Sequence, residues 1–165
     1  MNQKKRPSIF RADVIILSYF GIGFFPFAPG TCASIATLPI LYFLTLWKVP
    51  SVFLIPMIVL SIFISSFLAQ RAQRDYQVLD PGWIVIDEVL GMLCAWLFCL
   101  SGNVLHLLLI LILFRFFDIV KVWPINIIDT RIKNGAGVIL DDVVAGLFSG
   151  LSYRFLIFIG NLLYS

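Results

Sequence analysis

Five long apolar runs, at 32–47, 52–69, 83–100, 105–120 and 138–163, fill most of this chain and constrain its fold more than any other feature. A helix that crosses a bilayer needs about 20 apolar residues, with roughly 17–25 tolerated. Several of these runs sit at the short end of that range, which predicts tilt or incomplete crossing. Of the 165 residues, 61% are hydrophobic and only 13% are charged, where a soluble domain carries about 25% charged residues. That little polar surface cannot cover the chain in water, so lipid must cover much of it. The expected fold is all-α: a helical integral-membrane bundle of about four to five membrane helices, forming a single domain over 1–165. Segment 21–31 (GIGFFPFAPGT) is apolar but broken by Gly and Pro. It reads as an N-terminal re-entrant or interfacial segment. Pro39 and Pro56 are candidate kinks.

Residues 1–12 form a basic N-terminus, placed on the cytoplasmic side. Lys4, Lys5 and Arg6 ahead of an apolar stretch resemble a signal peptide, but Asp13, Gly21, Gly23, Pro26 and Pro29 interrupt it, so it is read as retained. With all five runs crossing from a cytoplasmic N-terminus, nine of the 12 Lys and Arg residues fall on the cytoplasmic side. Only Lys48 falls outside, and Arg115 and Arg154 lie within helices. This is the bias of the positive-inside rule. The net charge of +3 suits anionic headgroups and gives no case for nucleic acid. Cys32, Cys94 and Cys99 all sit in apolar surroundings. Their odd number and spacing argue against a disulfide framework or a zinc site.

The chemistry lies in the acids. Of nine, five fall inside apolar helices: Asp87, Glu88, Asp118, Asp141 and Asp142. With alternating helix directions, Asp87 and Glu88 lie near the cytoplasmic start of the third run, Asp118 near the cytoplasmic end of the fourth, and Asp141 and Asp142 near the cytoplasmic start of the fifth. Three separate segments thus bring carboxylates to one level of the membrane. Only Arg115 and Lys121 stand near enough in sequence to neutralise them. Uncompensated intramembrane carboxylates are costly, so the excess must take up protons or cations. Hard oxygen ligands near a water interface suit Mg²⁺ or Mn²⁺. Gly91, Ala145 and Gly146 beside the acids would let the helices approach closely. Asp13, Asp75 and Asp129 read as ordinary interfacial residues. Asp80, before Pro81-Gly82, either starts a turn or reaches the cluster.

Two further signals are weaker. Gly30-Thr31 opens the first apolar run, with Thr31 as the expected N-cap and exposed amides suited to phosphate. The turn Asn134-Gly135-Ala136-Gly137 leads directly to Asp141 and Asp142, and its amides suit a phosphate oxygen. The one histidine, His106, lies on the opposite side. That excludes a phosphohistidine enzyme with a second His base. No Cys is followed six residues later by Arg, which disfavours a cysteine phosphatase. No Asp-x-Asp and no paired-Asp phosphotransferase signature occurs either.

Four blocks resemble the phosphatidylglycerophosphatase A family. The first is Pro29-Gly30-Thr31 with Ser34. The second is Asp80-Pro81 with Ile84-Val85-Ile86-Asp87-Glu88-Val89-Leu90-Gly91. The third is Phe114-Arg115-Phe116-Phe117-Asp118-Ile119-Val120-Lys121, continuing to Trp123-Pro124-Ile125. The fourth is Gly135-Ala136-Gly137-Val138-Ile139-Leu140-Asp141-Asp142-Val143-Val144-Ala145-Gly146. Val122 departs from the family's usual proline and Ala33 from its usual glycine, and neither supplies a ligand.

The resemblance implies Mg²⁺-dependent hydrolysis of phosphatidylglycerol phosphate to phosphatidylglycerol and phosphate, in the inner membrane of a bacterium, with the site open to the cytoplasm. On this reading Asp87, Glu88, Asp118, Asp141 and Asp142 form the metal-ligand pool. Asp142 or Glu88 orients the attacking water, and Arg115 or Lys121 steadies the phosphoryl oxygens. Gly30, Thr31, Gly135 and Gly137 offer hydrogen bonds to substrate. Whether an aspartyl-phosphate forms is left open, as is the oligomeric state. The alternative from a different class is a cation-coupled transporter or channel subunit. It predicts acids near the bilayer midplane rather than near one face.

Overall fold

The computed structural model describes residues 7–79 and 81–164. Lys4, Lys5, Arg6 and Asp80 lie outside the described residues. Among those described the chain is all helical, with no strand: α1 (Ala12–Leu17), a 3-10 turn (Ile22–Phe24), α2 (Pro29–Leu46), α3 (Ser51–Tyr76), α4 (Ile86–Trp96), α5 (Val104–Val120), α6 (Ile125–Arg131) and α7 (Gly135–Tyr164). Three helices are long and apolar enough to cross a membrane: α2, α3 and residues Gly135–Leu163 of α7. Large apolar side chains such as Phe53, Phe63, Phe67, Leu105 and Phe158 stand exposed along α3, α5 and α7. Patches of that extent mark a non-aqueous contact surface, in keeping with a membrane.

The longest helix, α7, is the axis of the bundle and packs against α3, α4, α5 and α6, while α2 packs on α4 and α5. One apolar core joins α1, α3, α4 and α7 around Leu17, Ile58, Leu90 and Ile139. A second joins α2, α4, α5 and α7 around Leu41, Trp96, Phe114 and Tyr153. The expected small-residue contact is present between α4 and α7. A Cβ at Gly146 would run into the Gly91 carbonyl, and one at Gly91 would meet the Phe114 ring. Buried hydroxyls are satisfied within their own helices: Ser34 donates to Gly30 O, Thr37 to Ala33 O and Ser149 to Ala145 O, at 2.6–2.9 Å. This i−4 bonding lets a polar side chain sit in an apolar helix.

Several helix limits differ from the sequence expectation. The third run, expected over 83–100, is helical only from Ile86 to Trp96. Its start is delayed because Val85 N–H donates to Leu17 O at the end of α1, so the backbone there serves a tertiary contact. The expected N-cap Thr31 lies inside α2. Ala28 is the cap residue and Pro29 takes the first helical position, where its missing N–H costs nothing. Helix α3 runs past the apolar stretch to Tyr76 because Ala72, Gln73 and Tyr76 continue its buried face. Pro39 and Pro56 lie inside α2 and α3 without ending them.

Candidate active site

The helix directions bring the starts of α2, α4 and α7, the ends of α3 and α5, and the whole of α6 to one end of the bundle. A cavity of about 320 Å³ opens there. Its wall includes Asp87, Glu88, Asp118, Lys121, Asp129, Lys133, Asp141 and Asp142, with Pro29, Gly30 and Gly137 at the helix starts.

Asp87 and Glu88 occupy the first turn of α4, where the positive end of the helix dipole favours carboxylates. Asp142 lies on the buried face of α7, 4% exposed. Ligand oxygens of Asp87, Glu88 and Asp142 all fall within 4.8 Å of one another. Three carboxylates this close, on two helices, repel one another unless a positive charge stands among them. Among the described residues no Lys or Arg is ion-paired with any of the three, although Arg115 lies beside Glu88. Arg115 Nη1 is 2.7 Å from Asp118 Oδ2, outside hydrogen-bond angles, so it is a charge contact. Lys121 Nζ is committed to Asp129 Oδ1 at 2.8 Å and Asp141 Oδ2 at 2.6 Å. Two carboxylate oxygens, Glu88 Oε2 and Asp141 Oδ1, are buried with no hydrogen-bond donor. Burial alone would lower the Lys121 ammonium, but hydrogen bonds to Asp129 and Asp141 hold it above the usual lysine range, so it is a permanent cation in this wall.

The residues singled out in the sequence therefore separate into groups. Asp87, Glu88 and Asp142 form the tight cluster. Asp118 and Asp141 line the same cavity as members of ion pairs. Lys121 faces the cavity, whereas Arg115 stands behind it, next to Gly30 and Glu88. Gly30 and Gly137 line the wall, while Thr31 and Gly135 do not. The amides of the glycine turn are engaged within the fold. Gly135 N donates to Gln70 Oε1 at 3.0 Å, and Ala136 N and Gly137 N both donate to Asn134 Oδ1 at 3.1 Å. Asn134 thus caps α7, and the turn's donors go to that cap and to Gln70 of α3 rather than to a ligand. Asp129 and Lys133 in the cavity wall were not legible as site residues. Their i,i+4 spacing after Lys121 was the available signal, and α6, which presents Asp129, carried no long apolar run to announce it.

Residues 15–157 match the family described as phosphatidylglycerophosphatase A. The chain belongs to that family. A phosphatidylglycerophosphatase A of Escherichia coli strain K12 is 34% identical over 145 residues, covering 86% of this chain and 80% of its own. One from Haemophilus influenzae is 34% identical over 149 residues, 90% of each chain. A Bacteroides thetaiotaomicron protein, provisionally named a phosphatidylinositol-3-phosphatase, is 34% identical over 155 residues, 88% of this chain and 92% of its own. No solved structure matches the chain. The phosphatidylglycerophosphatase A match spans every element from within α1 to within α7, so it takes in the entire acidic cavity.

Proposed function

We propose that the protein hydrolyses phosphatidylglycerol phosphate to phosphatidylglycerol and phosphate in phospholipid synthesis, at the cytoplasmic face of a bacterial inner membrane. Family membership supports the activity. The observation that carries the site is the convergence of Asp87, Glu88 and Asp142 at one end of the bundle.

The donor set fits a divalent cation such as Mg²⁺. All three side chains offer hard oxygens, these lie within 4.8 Å of one another so that a small closure would bring them into one coordination shell, and Glu88 Oε2 lacks any donor. Ligand distances of about 2.1 Å place shell oxygens roughly 3–4 Å apart. Asp87, Glu88 and Asp142 would hold the ion, with Asp141 and Asp118 beside it. When bound, the ion supplies positive charge that draws in a phosphate dianion and polarises its oxygens.

The chain's own residues supply the rest. Water adds to phosphorus, the bond from phosphorus to the headgroup glycerol oxygen breaks, and that oxygen leaves as the alcohol with the proton that the water gave up. Asp142 or Glu88, buried in the floor, takes the proton from the attacking water. Lys121, fixed between Asp129 and Asp141, faces the phosphoryl oxygens and steadies their charge. Arg115 is a positioning residue that holds Asp118 in the wall. The floor lies inside the protein and the opening faces the end of the bundle, so the reacting phosphate is enclosed while the acyl chains stay in the bilayer.

The same reading covers membrane placement. Helix α5, with 17 residues, meets the lower limit for a span. Helix α4, with 11, crosses part-way against α7, giving four to five membrane segments. Phe20, Phe25 and Phe27 are exposed between α1 and α2, which suits segment 21–31 to the headgroup interface. The transport alternative finds no support in the family or in a cluster that opens at one end.

Phosphate release from phosphatidylglycerol phosphate in mixed micelles, with and without Mg²⁺, tests the proposal. Release that stops on chelation is expected. No release with any divalent cation would end the enzyme reading.

A further inference from the structure

Of the cations near this site, Arg115 lies against Asp118 behind the wall, and Lys121 is bonded to both Asp129 and Asp141. Lys133 differs. It lies at the exposed rim of the cavity, between α6 and α7. Its Nζ donates to the backbone O of Asp129 at 2.6 Å, and among the described residues no carboxylate comes within ion-pair distance of it. An ammonium has three donors, so two remain for a ligand.

The contacts order the wall from floor to rim. Asp141 adjoins Asp142 of the floor and pairs with Lys121. Lys121 pairs with Asp129, and the Asp129 carbonyl receives Lys133. Phosphatidylglycerol phosphate carries two phosphates in a matching order. The terminal monoester is cleaved, and an internal diester joins the headgroup glycerol to the diacylglycerol. With the monoester on the acidic floor, the diester lies toward the rim and the lipid. A diester is a permanent monoanion, and its non-bridging oxygens need a cation there.

We propose that Lys133 binds the headgroup phosphodiester, so that the site favours lipids whose cleaved phosphate is carried on a headgroup over phosphate esterified directly to diacylglycerol. This rests on the activity proposed above and adds a second anion subsite to it. The floor recognises a monoester, and the rim reads what the monoester is attached to.

Lys133 also covers a carbonyl near the end of α6, so the test must separate charge from capping. Lys133→Gln removes the charge and keeps a donor for the Asp129 carbonyl. Lys133→Arg keeps both. Arg131→Ala removes a neighbouring exposed charge outside the cavity wall. For the full-length enzyme in mixed micelles with Mg²⁺, KM for phosphatidylglycerol phosphate is measured together with Ki for inorganic phosphate, which needs the floor alone. Lys133→Gln should raise KM about tenfold, the size of one charge-assisted hydrogen bond, and leave the phosphate Ki in place. Lys133→Arg should stay within about twofold of wild type on the same scale. An unchanged KM overturns the proposal. So does a phosphate Ki that rises in step with KM, or an equal KM rise in Arg131→Ala. Wild-type protein that releases no phosphate at all refutes the underlying activity, and that result is visible before any variant is made.

Discussion

Gly30, in the first turn of α2, lies so close to Glu88 of α4 that a Cβ on Gly30 would overlap the Glu88 carboxylate oxygen Oε1. The start of one helix thus sets the position of a carboxylate on another. Gly30→Ala should move Glu88 without removing any acid. Helix stability favours the change by about 0.5–1 kcal/mol, so the protein should fold. Turnover should fall about 10–100-fold, as when a group supporting a metal ligand is disturbed, and the Mg²⁺ concentration for half-maximal rate should rise. Full activity at unchanged Mg²⁺ demand would mean that the position of Glu88 is unimportant.

Asp142→Asn separates charge from shape. Without a cation, the Asp87, Glu88 and Asp142 cluster is a source of repulsion, so neutralising one member should leave the metal-free protein at least as resistant to heat as wild type. Catalysis should drop by more than about a hundredfold. Added Mg²⁺ should raise the melting temperature of wild type through selective binding to the folded state, and that rise should vanish in the variant. A variant that still gains thermal stability from Mg²⁺ would place the ion elsewhere.

The level of the acids was legible in the sequence because alternating helix directions follow from the apolar runs alone. Which acids meet was not. Asp118 stood in the same ligand pool as Asp142, and its i,i+3 spacing from Arg115 left an ion pair open; in the fold the Arg115 side chain does reach it, a choice of rotamer that packing sets. Asp141 was taken from the cluster by Lys121, which α6 holds in place through Asp129. Helix α6 has seven residues, too few for periodicity to reveal. The glycines at 135 and 137 read as a phosphate loop. In the fold, a Cβ at Gly135 would strike the backbone of α3 at Gln70, so close helix packing explains that residue. The third run misled about its length because Ile84 and Val85 are as apolar as a helix, yet the Val85 N–H donates to Leu17 O of α1 and the Ile84 N–H to Pro81 O.

The crossing of α4 on α7 depends on two residues without side chains. A Cβ at Gly146 would meet the Gly91 carbonyl, which cannot swing away as a flexible side chain can. Gly146→Val should destabilise the fold by about 1–3 kcal/mol, the usual cost of overpacking, with more expected if the helices must separate. It should also lower activity, because Asp87 and Glu88 on α4 would move relative to Asp142 on α7. Thermal unfolding in detergent micelles checks the first effect and phosphate release the second. Wild-type stability in this variant would show that the helices are not held this close.

The N-terminal segment is tied to the bundle by Arg11, which donates to Asp13 at 2.6 Å and to Asp75 of α3 at 2.7 Å. The hydrogen bond from Arg11 outweighs burial and holds the Asp13 carboxyl below its ordinary value of 3.8. A carboxyl depressed in the folded state is protonated first in the unfolded state as pH falls. Its stabilisation is therefore complete above the ordinary aspartate value and is lost as pH drops through the lower, folded-state one. The pair is partly exposed and screened by solvent, so local opening reads it better than global melting does. Amide exchange over residues 12–25 should quicken between pH 6 and pH 3, after correction for the intrinsic pH dependence of exchange. In Arg11→Gln it should be fast at both. Equal protection of wild type at the two pH values would show that this ion pair does not hold α1 in place.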